Sequence, residues 1–593
     1  MKKKSFLICF LSISIASFAT FSRFVEFEEV QPDGTVLTLY ASGDDTFHWI
    51  HNIEGYTILK GTDGFCYYAE KLEDGALIPS LYRADKDLPP DVSIQPWLKL
   101  SKDGYLKKKR LRNEDNENRR GVLSTRVSHT SVLNNIVIFI SFKDRTVFSK
   151  KRSVYDSRFN SLNSSTGSLK DYYLEVSYDN LTIESSFYPK GDLDAGDIGY
   201  VDFHPKSFYS PYNVTSNVDG YRTNEESTNR EHNLIVNAID AVRQEIEQDF
   251  TPEEIDNDGD GYVDNICFIV QGNSDGWSDL LWAHRWSLYT RECYIHGKRV
   301  MDYVFQPENQ VVVTTLCHEM FHALGAPDLY HYDEDFTDLD PVGEWDLMHS
   351  GKGHMGAYMK WKYTNGSWIK DIPELTSSGT YRLFPLTHNE NNCYKVKSSK
   401  PEEFYVLEYR KKAGKYESTL PRSGLLIYRI DTSIKDGNRN GPPDEVYIYR
   451  PYGSLSENGF LDQAAYQTKT GHVLTDKTFP KPFLSDNSDG GLRIYNVSID
   501  ETSLVFDVEV SSSSNSYVDI DNSSNVFSYE DNFLVINNVH ETLIAVSIID
   551  SSGRIVYNSK KNEKIDLRSF SKGFYIVSVN CDKIDYRKKI IIN

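Results

Sequence analysis

The chain has 593 residues, 39% hydrophobic and 25% charged, an ordinary globular composition at a length that calls for three or four domains rather than one core. Its formal net charge of -21 excludes a nucleic-acid binder, which needs a basic footprint, and fits an acidic protein able to hold calcium. The 39 tyrosines and 30 phenylalanines favour strands with aromatic faces.

In chain order, residues 1–19 come first. "MKKK" is a positive leader and "SFLICFLSISIASFA" a short apolar run ending in small residues, as in a secretory signal peptide cut near Ala19. Residues 20–126 hold short alternating runs broken by Asp-Gly and Glu-Gly, a meander of hairpins. They end in "KKKRLRNEDNENRRGVLSTR" (107–126), charged, aperiodic and open to cleavage after basic residues. Seven cysteines without a repeated spacing do not form a disulfide framework. Cys66, in "FCYYAE", reads as a buried core residue, with a latent-state metal thiolate as the alternative.

From "NIVIFISF" (135–142) onward, buried-looking strands alternate with helical periods. "TGSLKDYYLEVSYDNLTIESSFYP" predicts a short helix and then a strand from Leu181. Residues 229–246 predict a helix, 265–272 a strand and 310–325 one continuous helix. This is an α/β domain over 127–370. Residues 371–511 turn to short strands such as "EFYVLEYR" and "GLLIYRID", a β-sandwich-like region. A linker spans 512–525, and 526–593 form a last β domain.

The chemistry concentrates in "CHEMFHALGAPDLYHY" (317–332). His318 and His322, four apart on a helix, stack on one face and can reach one ion. Glu319 follows the first histidine and lies off the ligand pair, where a general base would handle a water proton. Gly325 ends the helix and allows a left-handed turn. Asp328 then comes within reach as a third ligand, with His331, Asp333 and Asp335 as nearby competitors. Upstream, "DNDGDGYVDN" places Asp256, Asp258, Asp260 and Asp264 at alternating positions, with the Tyr262 carbonyl between them and Gly261 for a sharp turn. This is a calcium loop that lacks the closing glutamate of an EF-hand.

"HEMFHALGAPDLY" resembles the extended zinc signature of metzincin-type metallopeptidases, and most of all the immune inhibitor A-like secreted proteases, in which Asp takes the third ligand position. That resemblance selects Asp328. It also implies that Met348, in "GEWDLMHSGKG", forms the methionine turn, a structural floor rather than a ligand. The segments "SIIDSSGRIVYNS" and "LRSFSKGFYIVSV" and the terminal "KKIIIN" resemble type IX secretion sorting domains.

The expected fold is multidomain α+β. A β-rich pro-segment precedes a metzincin-like α/β catalytic domain, and β-sandwich domains follow it. The expected function is that of a secreted zinc endopeptidase made as a zymogen. Its cofactors would be Zn2+ and Ca2+. Its partners would be protein or peptide substrates, the type IX machinery and an activating protease, with no nucleic acid. The rival readings are a surface binding module or adhesin on a protease fold, and a zinc hydrolase acting on cell-wall peptides. An intact Glu319 speaks against a mere binder. The oxyanion stabiliser stays open among Tyr330, His349, His354 and Tyr358. His284, in "DLLWAHRW", is expected in a packed aromatic core rather than at a cleft.

Overall fold

The computed structural model describes residues 22–43, 48–61, 63–72, 77–89, 92–98, 129–144, 147–192, 199–214, 217–272, 283–332, 336, 339–510, 518–519, 527–530, 533–537, 543–550, 554–561, 564–581 and 586–592. The expected leader, the basic stretch 107–126, most of the 512–525 linker, and Asp333 and Asp335 lie outside these residues. The chain is mixed α and β, mostly sheet, and divides into two compact units. The larger reaches Val508 and the smaller holds the C-terminal strands. Among the described residues, no helix is long and apolar enough to cross a membrane.

The larger unit begins with two three-stranded antiparallel sheets. One is Ser22–Val30, Val36–Gly43 and His48–His51; the other is Ile58–Lys60, Cys66–Lys71 and Leu77–Arg83. They share a small core of Leu39, Ile50, Ile58, Cys66, Tyr68 and Ile94. Cys66 is fully buried there, and burial pushes its thiol up to about 11, which suits a core residue and not a thiolate ligand.

The central sheet runs in the order His284–Ser287, Asp302–Pro307, Ile266–Val270, Ser131–Phe142, Leu181–Tyr188, with Tyr200–Asp202 also paired to Ser131–Phe142. All these strands are parallel except the edge strand His284–Ser287. Parallel strands must be covered on both faces, and the alternation along each strand achieves this. Val137, Phe139, Cys267 and Ile269 enter one core, with the helices Arg152–Asn160, Leu169–Val176 and Val313–Ala323. Ile136, Ile138, Phe268 and Val270 enter the other, beneath the long helix Asn224–Asp249. That helix starts at Thr223, whose side chain accepts from the Glu226 amide as an N-cap. His284 is buried, stacks on Phe305 and bonds Glu231 at 3.0 Å, so it belongs to this packed face.

The helix expected over 310–325 is shorter, Val313–Ala323. A turn of 3-10 helix, Glu308–Gln310, precedes it. The β-branched run Val311–Val313 stays extended up to Val312, which has no side chain able to cap. Beyond residue 370 come two four-stranded sheets. One is ordered Gly379–Leu383, Leu504–Glu509, Arg493–Ile499, His472–Leu474; the other is Cys393–Lys397, Glu403–Arg410, Gly424–Asp431, Val446–Ile448. A single apolar core joins this second sheet to the catalytic layers, from Leu133 and Phe321 through Trp345 to Val406, Leu426 and Val446.

The smaller unit is a sandwich of a five-stranded and a three-stranded sheet around Leu534, Val546, Ile548, Val577 and Val579.

One buried cation ties the second sheet to the layers before it. The Arg410 guanidinium pairs with both oxygens of Glu417 at 2.7 and 2.8 Å. It also donates to the Trp345 carbonyl at 2.6 Å and the His354 carbonyl at 3.1 Å. Removing one partner of such a buried pair strands the other charge. Arg410→Ala should therefore lower the unfolding free energy of the larger unit by about 3–5 kcal/mol, read by urea denaturation. A loss of under about 1 kcal/mol would show that this pair does not tie the layers together.

Candidate metal centre

The helix Val313–Ala323 is enclosed on all sides over its middle two turns. Its residues from Thr315 to Phe321 are buried, and Tyr173 donates to the Cys317 carbonyl at 2.6 Å. Its end is set by Gly325, at φ +100, where a Cβ would meet nothing within 4 Å. The glycine is therefore needed for backbone conformation and not for space. The Gly325 amide bonds the His322 carbonyl at 2.9 Å and the Ala326 amide bonds the Phe321 carbonyl at 3.0 Å, the two closing bonds of a Schellman turn. That turn brings the Ala326 carbonyl within 2.7 Å of His322 Nδ1.

His322 therefore donates from Nδ1 to Ala326, and His318 donates from Nδ1 to the Leu347 carbonyl at 2.9 Å. A carbonyl only accepts, so the proton sits on Nδ1 in both rings and Nε2 is left with its lone pair. Both Nε2 atoms face Asp328 Oδ1, at 3.1 Å from His318 and 3.3 Å from His322. Asp328 Oδ1 is buried and has no hydrogen-bond partner. Its other oxygen accepts from the Tyr332 hydroxyl. Burial opposes ionisation of Asp328, but the facing imidazoles of His322 and His318 outweigh it and hold the carboxyl far below the usual range. Burial likewise lowers His322, and Asp328 raises it back above its ordinary value. Three acceptors thus converge, with ligand atoms within 4.8 Å of one another and no fixed donor among them. This donor set suits a divalent cation of borderline softness.

Glu319 is buried beside these residues. Burial pushes the Cys267 thiol on the neighbouring strand up, with a smaller push from the Glu319 carboxylate. Met348 is fully buried in the core. Its amide donates to Asp346 Oδ1 at 2.9 Å and its carbonyl accepts the Leu329 amide at 2.8 Å. The methionine segment is therefore bonded both to the residue after Asp328 and, through Leu347, to His318. Burial pushes the Asp346 carboxyl up to about 6, although the Gly356 and Met348 amides donate to it.

Of the other candidates, His331 donates from Nδ1 to Phe336 and faces Asp444 at 2.5 Å from Nε2, away from the cluster. His354 lies between Glu175 and Lys360, and the Tyr358 hydroxyl is committed to Glu445, so both belong to the interior network. Tyr330 packs edge-on against His349 with ring centroids 5.9 Å apart. Tyr332, which orients Asp328, was missed by the motif reading. No local pattern signals it, because residues 328–332 are irregular and a spacing of four pairs side chains only on a helix.

In the acidic loop, Asp256, Asp258 and Asp260 come together, with Asp256 buried and the other two exposed. Asp256 Oδ2 pairs with Lys298, while its Oδ1 is buried without a hydrogen-bond partner. Tyr262 donates its amide to Asp260 at 2.8 Å. Asp264 is not part of the cluster. Its carboxylate accepts the Asn257 amide at 3.0 Å, and burial pushes it up to about 7. Among the described residues, Cys66, Cys267, Cys293, Cys317 and Cys393 are free and buried.

Residues 148–367 match the immune inhibitor A peptidase M6 catalytic domain, and residues 529–593 match the secretion system C-terminal sorting domain. No curated protein matches the chain. The protein is thus a metallopeptidase, which hydrolyses peptide bonds with the help of a bound metal. Residues 148–367 are similar to the immune inhibitor A catalytic domain, and the type IX sorting domain directs the protein out of the cell, to secretion or surface attachment.

Proposed function

We propose that the protein is an exported zinc endopeptidase, made as a zymogen, in which His318, His322 and Asp328 hold zinc and Glu319 is the general base. The observation that carries this reading is the convergence of two bare Nε2 atoms on an unpartnered, buried Asp328 oxygen. Zinc, when bound, supplies Lewis-acid polarisation of the scissile carbonyl and acidifies water. Glu319 takes a proton from the attacking water and returns it to the leaving amine. Gly325 and Met348 act structurally, through the turn that orients His322 and the segment that grips His318. The antiparallel edge strand and the Met348 turn support a metzincin-like arrangement.

The domain plan is a signal peptide over 1–19, a pro-segment over 20–126, catalysis over 127–370, a β-sandwich-like region over 371–511, a linker over 512–525 and a sorting domain over 526–593. The separate core of the first two sheets supports a removable pro-segment, and the Asn213 side chain donates to the Gly61 carbonyl at 3.0 Å across that junction. The activating protease would cut within or near 107–126. The loop of Asp256, Asp258 and Asp260, with the Tyr262 carbonyl, would bind calcium, supported by the buried, unpartnered Asp256 oxygen.

Zinc-loaded, processed enzyme should cleave denatured protein, and Glu319→Ala should lose about 10²–10⁴-fold in rate while retaining zinc. Equal rates in the two would rule out Glu319 as the base. Full-length chain should be nearly inactive until limited trypsin cuts the basic stretch, and equal activity before and after the cut would refute latency. Calcium at millimolar concentration should raise the thermal midpoint of wild type but not of Asp258→Asn. An unchanged wild-type midpoint would remove calcium from the reading.

A further inference from the structure

We propose that the metal centre is completed from outside the matched catalytic domain, by the loop Gly437–Glu445 of the downstream sheet, with Asn438 as the positioning residue for Asp328. The proposal rests on the zinc reading above.

Asp328 sits on an irregular stretch and not on a helix or strand, so bonds from other segments must fix its backbone. The Met348 carbonyl holds the Leu329 amide at 2.8 Å, and the remaining bonds come from the loop. The Asn438 amide donates to the Asp328 carbonyl at 3.0 Å, and its side-chain Nδ2 donates to the Leu329 carbonyl at 3.0 Å. The Tyr332 amide donates to the Arg439 carbonyl at 3.0 Å, and Asp444 takes His331. The segment 328–332 is therefore held at both ends. Tyr332, the residue whose hydroxyl orients the Asp328 carboxylate, is held by the same loop.

The contact is too close for any side chain. Gly437 is at φ +70, and a Cβ there would lie 2.1 Å from the Asp328 carbonyl oxygen and 2.9 Å from the Pro327 ring. The loop is itself rigidly mounted. Asn438 pairs through Oδ1 and Nδ2 with the backbone of Val446, the first residue of the sheet's edge strand, at 3.0 and 2.8 Å. The Gly437 amide donates at 2.9 Å to Glu445, a fully buried carboxylate that also accepts from the Tyr358 and Tyr363 hydroxyls. Asn438 is itself fully buried, and all its polar side-chain atoms are used to join the edge strand to the Asp328 segment. Groups that orient a ligand without touching the metal typically govern affinity by about 10–100-fold.

Coupling of this kind is reciprocal, so zinc must stabilise the loop if the loop stabilises the zinc site. In the full-length wild-type chain, zinc should slow hydrogen exchange of the Asn438 and Tyr332 amides at least about tenfold relative to the chelated protein. Asn438→Ala should lower zinc affinity, measured by competition with a chelator, by about 10–100-fold. Tyr405→Phe is the control. It removes a buried hydroxyl bond to Pro482 (3.0 Å) in the same region and should lower the thermal midpoint without changing zinc affinity. Zinc affinity of Asn438→Ala within about twofold of wild type would overturn the proposal, as would unchanged exchange on zinc loading. The exchange measurement decides the matter if the variant does not fold. A wild-type chain that takes up no zinc would instead overturn the metal reading beneath the proposal. Zinc uptake with no coupling would overturn the positioning role alone.

Discussion

Two imidazole lone pairs and one carboxylate oxygen within a few ångströms of each other, with His318 and Asp328 buried and His322 partly so, form an arrangement that repels itself unless a proton or a metal ion lies between them. His318, His322 and Asp328 are held in this state by the bonds behind them. The Leu347 and Ala326 carbonyls take the only proton of each neutral ring, so the facing nitrogens stay bare. The Tyr332 hydroxyl takes one Asp328 oxygen and leaves the other free to face them. Most of the surrounding architecture serves to keep these three groups from relaxing apart.

Each of the three has a different support. His318 depends on the helix Val313–Ala323 and on the Met348 segment across from it. His322 depends on the Schellman turn, because that turn carries the carbonyl its ring bonds. Asp328 has no regular element of its own and rests on a loop more than a hundred residues further along. The buried Arg410–Glu417 pair holds the Trp345 and His354 carbonyls from the same downstream sheet. The sheet from Cys393–Lys397 to Val446–Ile448 thus packs as part of the catalytic body and does not hang from it as an appendage.

The central strands were legible because, covered on both faces, they read as apolar runs such as 135–142 and 265–272 alternating with helices; their parallel pairing came from the structure. The helix around His318 was legible because its histidines repeat at four and a glycine stops it. Its start was not. The run Val311–Val313 carries no capping residue, so periodicity extended the helix over residues that the structure keeps extended. In the acidic loop, alternation placed four aspartates in register, yet only Asp256, Asp258 and Asp260 gather. Asp264 instead turns to the Asn257 amide. Local spacing gives the order of side chains along a turn but not which way each carboxylate faces.

The amino-acid order alone determined the zinc-type motif and the likeness of the tail to a sorting domain, because both depend on short-range spacing that a helix or hairpin converts directly into geometry. It also placed Cys66 and His284 in cores, since each lies among aromatics. Only the tertiary structure decided which protons the two histidines carry, what orients Asp328, and that Asn438 and Arg410 stand behind the centre. The bonds from Asn438 to Leu329 and from Arg410 to Trp345 and His354 close across more than fifty residues of sequence, where no periodicity reaches and only the packed chain brings a donor to its acceptor.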